Sequence, residues 1–102
     1  MTGETWREEL RAAQARFGPA GQSTLEEMKR HSGLDFLRGM LDGRVPRAPM
    51  SQTLGFFLIE VDTGRAVFQG EPEHAYYNPI GSVHGGWTST LLDSCMGCAV
   101  HS

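Results

Sequence analysis

The run Asn78-Pro79-Ile80-Gly81-Ser82-Val83-His84-Gly85-Gly86 leads without a break into Trp87-Thr88-Ser89-Thr90-Leu91-Leu92-Asp93. Pro79 and Gly81 are turn formers, and Gly85 and Gly86 leave the backbone open to close approach by another group. Behind them Thr88 to Val100 contains no proline, and Leu91, Leu92, Met96, Ala99 and Val100 supply apolar positions at helical spacing. The stretch predicts a loop that delivers two glycines to the start of a helix. A helix N-terminus presents unpaired N–H groups and a partial positive charge, which suits an anion or a carbonyl oxygen turning into one. The expectation is an oxyanion-binding device with a carboxylate, Asp93, further along the same helix.

These residue types fit a reaction in which a carbonyl oxygen gains negative charge. Such a reaction needs charge stabilisation at the carbonyl oxygen and an activated water or nucleophile. The N–H groups of Gly85 and Gly86 suit the first task, helped by the helix dipole. Asp93 suits the second, as general base or as a nucleophile forming a mixed anhydride. Asn78 offers a neutral amide to hold the water or the carbonyl, and His84 is placed to orient Asn78 or the loop backbone. Mid-helix aspartate is a poor helix former, and its neighbours Leu91, Leu92 and Met96 predict a largely buried helix.

Spacing decides how the parts assemble. Gly85 and Asp93 are eight residues apart, roughly 12 Å of rise on a straight helix. A base has to come within about 3 Å of its proton, directly or through one water. One chain cannot bring both groups to one carbonyl group, so a two-fold dimer with antiparallel helices is expected, Gly85 of one chain facing Asp93 of the other.

Asn78 six residues before His84, the His84-Gly85-Gly86 triplet and Asp93 nine residues after His84 resemble the PaaI-like branch of the hotdog-fold acyl-CoA thioesterases. Gly33-Leu34-Asp35-Phe36-Leu37 ahead of Asp42-Gly43, and Gly64-Arg65-Ala66-Val67-Phe68, extend the likeness, which covers about residues 32 to 102. The resemblance implies an α+β hotdog fold, a curved antiparallel sheet around a central helix. It also implies two composite sites per dimer, in a homodimer or a dimer of dimers. The substrate implied is a coenzyme A thioester of a small aromatic or short-to-medium acyl group, with no metal or redox cofactor. Most strands of such a domain follow the central helix, so the chain is expected to be an N-terminal half, truncated or completed by a partner. A non-catalytic half-domain is the alternative function.

The rest of the chain divides into a helical segment, 1–48, and a hairpin, loop and helix, 49–102. Trp6, Leu10, Ala13 and Phe17 share one face of a helix that Gly18-Pro19 ends. Ser23-Thr24-Leu25-Glu26 has the form of a capping box for a short helix to about His31. Ser32 caps the next, whose Leu34, Leu37 and Leu41 line one face and which Gly43 stops. Arg44 to Pro49 reads as an extended connector. Met50 to Val61 reads as a strand, with apolar residues on both faces from Phe56 to Ile59 and hence cover on both sides. Asp62-Thr63-Gly64 is a turn, and Arg65 to Glu71 returns as the second strand of a hairpin.

Composition narrows the partners. A formal charge of −3 gives no basic footprint, so nucleic acid is not expected. Met1-Thr2-Gly3-Glu4 lacks a basic region followed by an apolar run, and no apolar stretch is long enough for a membrane span, so a cytoplasmic location is the default. Two cysteines do not make a secreted disulfide scaffold. Cys95, Cys98 and His101 form the competing constellation, a metal or thiol module. Steps of three residues carry them around the helix too far to close on one zinc, and cysteines well inside a helix gain little thiolate character. Two small buried thiols are the expectation there.

Overall fold

A computed structural model describes residues 3–102 of the chain; Met1 and Thr2 lie outside the described residues. The elements in order are α1 (Gly3–Arg16), α2 (Leu25–Arg30), α3 (Gly33–Leu41), α4 (Pro49–Leu54), β1 (Phe56–Asp62), β2 (Arg65–Gly70), a 3-10 turn at His74–Tyr76, and α5 (Gly85–His101). The protein is mixed α+β, with one two-stranded antiparallel sheet among the described residues.

The hairpin is the centre of the packing. Phe57 pairs with Gln69 and Leu58 with Phe68; a bulge follows, and Glu60 pairs with Val67. Strict alternation would put Leu58, Glu60 and Asp62 on one face. The extra residue at the bulge reverses the phase, so that Val61 joins Leu58 inside and Glu60 faces solvent. Phe57, Ile59 and Val67 pack against Leu10 and Ala13 of α1. On the other side Leu58, Val61, Ala66 and Phe68 pack with Leu37 of α3 and Cys98 of α5. The four residues Phe56 to Ile59 are therefore all buried, as their unbroken apolar run predicts. Each contributes about 1.5–3 kcal/mol of burial.

The N-terminal helices follow their caps. Thr24 rather than Ser23 caps α2, its hydroxyl accepting the Glu27 N–H at 3.1 Å. Ser32 caps α3 by accepting the Asp35 N–H, and the chain turns away at Gly43 with φ of +82°. The apolar faces of α1 and α3 share their cores with the hairpin, while Leu25 and Met28 of α2 stay exposed.

Met50 to Leu54 is a correction: it is helix α4, and the strand begins only at Phe56. Pro49 sits in the first turn, where its fixed φ suits a helix and its missing N–H has no intrahelical partner to lose. Gly55 then takes the left-handed conformation, φ +69°, and ends the helix by donating its N–H to the Ser51 carbonyl. The proline that forbids helix before it starts one at its own position.

Candidate functional site

The loop from Tyr76 to Gly86 is fastened by its own polar groups. Asn78 Oδ1 accepts the N–H groups of Ile80 (3.1 Å) and Ser82 (3.2 Å), and Asn78 Nδ2 donates to Ser82 Oγ at 2.8 Å. The Asn78 backbone N–H donates to the Ser82 carbonyl, and the Gly81 N–H to the Asn78 carbonyl. Asn78 is thus the clamp of the loop, and its amide oxygen is taken up within it. The loop closes with the His84 N–H on the Tyr76 carbonyl at 2.8 Å.

His84 is the N-cap of α5. Its Nδ1 accepts the Gly86 N–H at 2.8 Å, which requires a ring with the proton on Nε2. The sequence places Gly85 and Gly86 together as oxyanion donors; in the structure the Gly86 donor is occupied. The Gly85 N–H has no hydrogen-bond partner among the described residues, and the space around its α-carbon is open. Gly85 is the free donor at the positive end of a 17-residue helix.

Two aromatic residues hold this helix end in place. Trp87, buried, donates its indole N–H to the Leu54 carbonyl at 2.8 Å, and Tyr76 donates its hydroxyl to the Thr53 carbonyl at 2.7 Å. The two rings stack at 6.3 Å, and Trp87 meets Phe56 edge-on. Both bonds use carbonyls in the last turn of α4, which a helix end otherwise leaves without partners. Sequence reasoning did not single out Trp87 or Tyr76. The signal was the pair of large donors flanking the glycine loop, each needing a buried acceptor. A cavity of about 210 Å³ opens beside them, lined by Tyr76, Tyr77, His84, Gly86 and Trp87.

Asp93 lies elsewhere. It is exposed, and it lines a separate cavity of about 250 Å³ together with Ser94, Gly97 and Cys98 of α5, Phe56, Leu58 and Phe68 of the sheet, and Arg47. Asn78, His84 and Gly86 are thus gathered at one end of α5, and Asp93 is not brought to them within the chain. The expectation of a largely buried α5 is corrected: Trp87 alone in this helix is buried, while Leu92, Met96 and Val100 are 54%, 61% and 89% exposed. One two-stranded sheet covers one side of a helix and no more.

The cysteines behave as packing residues. Cys98 belongs to the core cluster with Leu58 and Phe68, and burial, with a smaller effect of the neighbouring Cys95, pushes its thiol up to about 11. Cys95 donates its S–H to the Ala66 carbonyl at 3.2 Å. Among the described residues no three histidine, cysteine or acidic side chains are grouped so as to hold a metal ion, and no helix is long and apolar enough to cross a membrane.

No family model, curated protein or solved structure matches the chain, so the chemistry of the site rests on its own residues.

Proposed function

We propose that the chain is part of an acyl-CoA thioesterase of the hotdog type, with catalytic sites shared between two antiparallel α5 helices. The observation that carries this reading is the exposed face of α5. At roughly 100° per residue, Gly85, Ser89, Leu92, Asp93, Met96 and Val100 fall within about 100° of one another around the helix. Leu92, Met96 and Val100 are left uncovered there, and the free Gly85 donor and the Asp93 carboxylate sit on the same face. A second α5 laid antiparallel on this stripe buries the apolar residues and sets each Gly85 toward the other chain's Asp93.

In this arrangement the Gly85 N–H stabilises the charge growing on the thioester oxygen, strengthened by the helix dipole. Asp93 of the other chain activates the water or attacks the carbonyl. His84 occupies the Gly86 donor and fixes the first turn; Asn78 holds the loop that presents it. The substrate is a coenzyme A thioester of a small aromatic or short-to-medium acyl group, and no metal or redox cofactor takes part. A hairpin followed by a helix lying across it is the part of a hotdog domain that supports the fold reading. The free edge of β2 and the bare stripe on α5 are where further strands and the partner belong.

Asp93→Asn keeps the size of the side chain and removes its basicity. Hydrolysis of a panel of acyl-CoA thioesters is expected to fall at least 10²-fold, the usual loss for a general base. An unchanged rate removes Asp93 from the mechanism.

A further inference from the structure

Arg47 is the one half-buried arginine with no acceptor among the described residues. Arg7, Arg30, Arg38, Arg44 and Arg65 each pair with a surface carboxylate, and Arg16 donates to the Leu41 carbonyl. The Arg47 guanidinium lies 4.7 Å from the centre of the Phe57 ring, and its Nε is buried without a hydrogen-bond partner. Its backbone is pinned: the Arg47 carbonyl accepts the Gly21 N–H at 2.9 Å, and the residue bridges to Ala20. A buried donor without an acceptor is costly, and the face of Phe57 meets the cation without supplying one. The same residue lines the cavity that Asp93 lines, whose other walls include Phe17, Phe56 and Phe68.

From this we infer that the cavity beside Asp93 is an acyl pocket that selects acyl groups ending in a carboxylate, and that Arg47 is the residue that reads the carboxylate. The inference rests on the thioesterase reading of Asp93. At about 250 Å³ the cavity is smaller than the roughly 300–1,000 Å³ of pockets that take whole drug-sized ligands. It holds an acyl group and leaves coenzyme A outside. The charges fix the orientation. Asp93 repels a carboxylate, so the thioester end lies at Asp93 and the acid end at Arg47, where a fixed fork of donors gives charge-assisted, bidentate contact. The phenylalanines between them take the carbon chain.

The test compares glutaryl-CoA with pentanoyl-CoA, equal in chain length and different at the terminus, together with thioether analogues of both that cannot be hydrolysed. The glutaryl analogue is expected to bind roughly tenfold tighter or more by calorimetry, and glutaryl-CoA to show a similar advantage in kcat/KM. Arg47→Met, which keeps the stem over Phe57, abolishes the advantage by weakening the glutaryl compounds far more than the pentanoyl ones; Arg47→Lys keeps part of it. Equal binding of the two analogues, or an equal loss for both in Arg47→Met, overturns the proposal. An Arg47-dependent preference in binding with neither thioester cleaved keeps the pocket and removes the thioesterase. Cleavage of both without preference does the reverse.

Discussion

The two halves of α5 are built on different terms. Its first turns are held by a clamped loop, a histidine cap and two aromatic hydrogen bonds to α4, with Trp87 buried at the centre. Its second half rests on the sheet through Cys95 and Cys98 and turns Leu92, Met96 and Val100 to the outside. The contrast separates two jobs. A backbone donor such as Gly85 has to be rigid before substrate arrives, since preorganisation is what makes an oxyanion site effective. A face that accepts a second helix needs apolar area and no internal partner.

Substitutions on the two halves should therefore behave differently. Trp87→Ala is expected to lower the unfolding free energy by about 3–5 kcal/mol, a large share of the stability of so small a chain, at every protein concentration. Met96→Ser should change the stability of the single chain by less than about 0.5 kcal/mol, and instead weaken self-association as measured by sedimentation. If Met96→Ser unfolds the dilute chain, the outer face is part of the core and the contrast fails.

Asn78 sharpens the loop side of the comparison. Asn78→Ala removes three side-chain hydrogen bonds and should cost about 1–3 kcal/mol locally, read as faster hydrogen exchange at Ile80 and Ser82. Asn78→Asp keeps the oxygen that both amides use, so the loop and most of the hydrolysis should survive. Activity lost in Asn78→Asp while exchange at Ile80 and Ser82 stays slow would give Asn78 a direct part in the chemistry.

Cys98 reports on the inner side of the second half. Its thiol is held neutral in the folded chain up to about 11, against an ordinary value of 9.0. Between these values the unfolded chain releases the proton first, so stability falls as pH rises from about 9 to 11 and is unaffected by this group below. With the thiol only partly buried, the loss is on the order of 1 kcal/mol. Cys98→Ala should flatten the alkaline slope. An unchanged slope would mean that the thiol is not desolvated by the sheet.

Much of the scaffold was legible in the chain. Ser32 as a cap, Gly43 as a stop, the Asp62-Thr63-Gly64 turn and the double burial of Phe56 to Ile59 all follow from local chemistry. Short-range rules failed where two of them competed at one residue. Pro49 ends extended chain and also begins α4, and the apolar Met50 and Leu54 fit either reading. Thr24 displaced Ser23 because the helix starts at Leu25, which makes Thr24 the residue whose hydroxyl meets the Glu27 N–H. At the site, the loop and the capped helix start were readable, since glycine, proline and asparagine act locally. Whether α5 is buried was not, because that depends on how many strands lie over it. Arg47 carried no signal either: its lack of an ion pair among the described residues is a property of packing.

The shared site is tested most directly by complementation between two inactive variants. Asp93→Asn removes the base; Gly85→Pro removes the donor at a first helical position where proline fits and where the preceding His84 already has extended backbone. Mixed in equal amounts and allowed to exchange, the two chains should recover about a quarter of the wild-type rate, because half of the dimers then carry one intact site of two. No recovery in a mixture that contains heterodimers by native mass spectrometry would contradict a site built from two α5 helices.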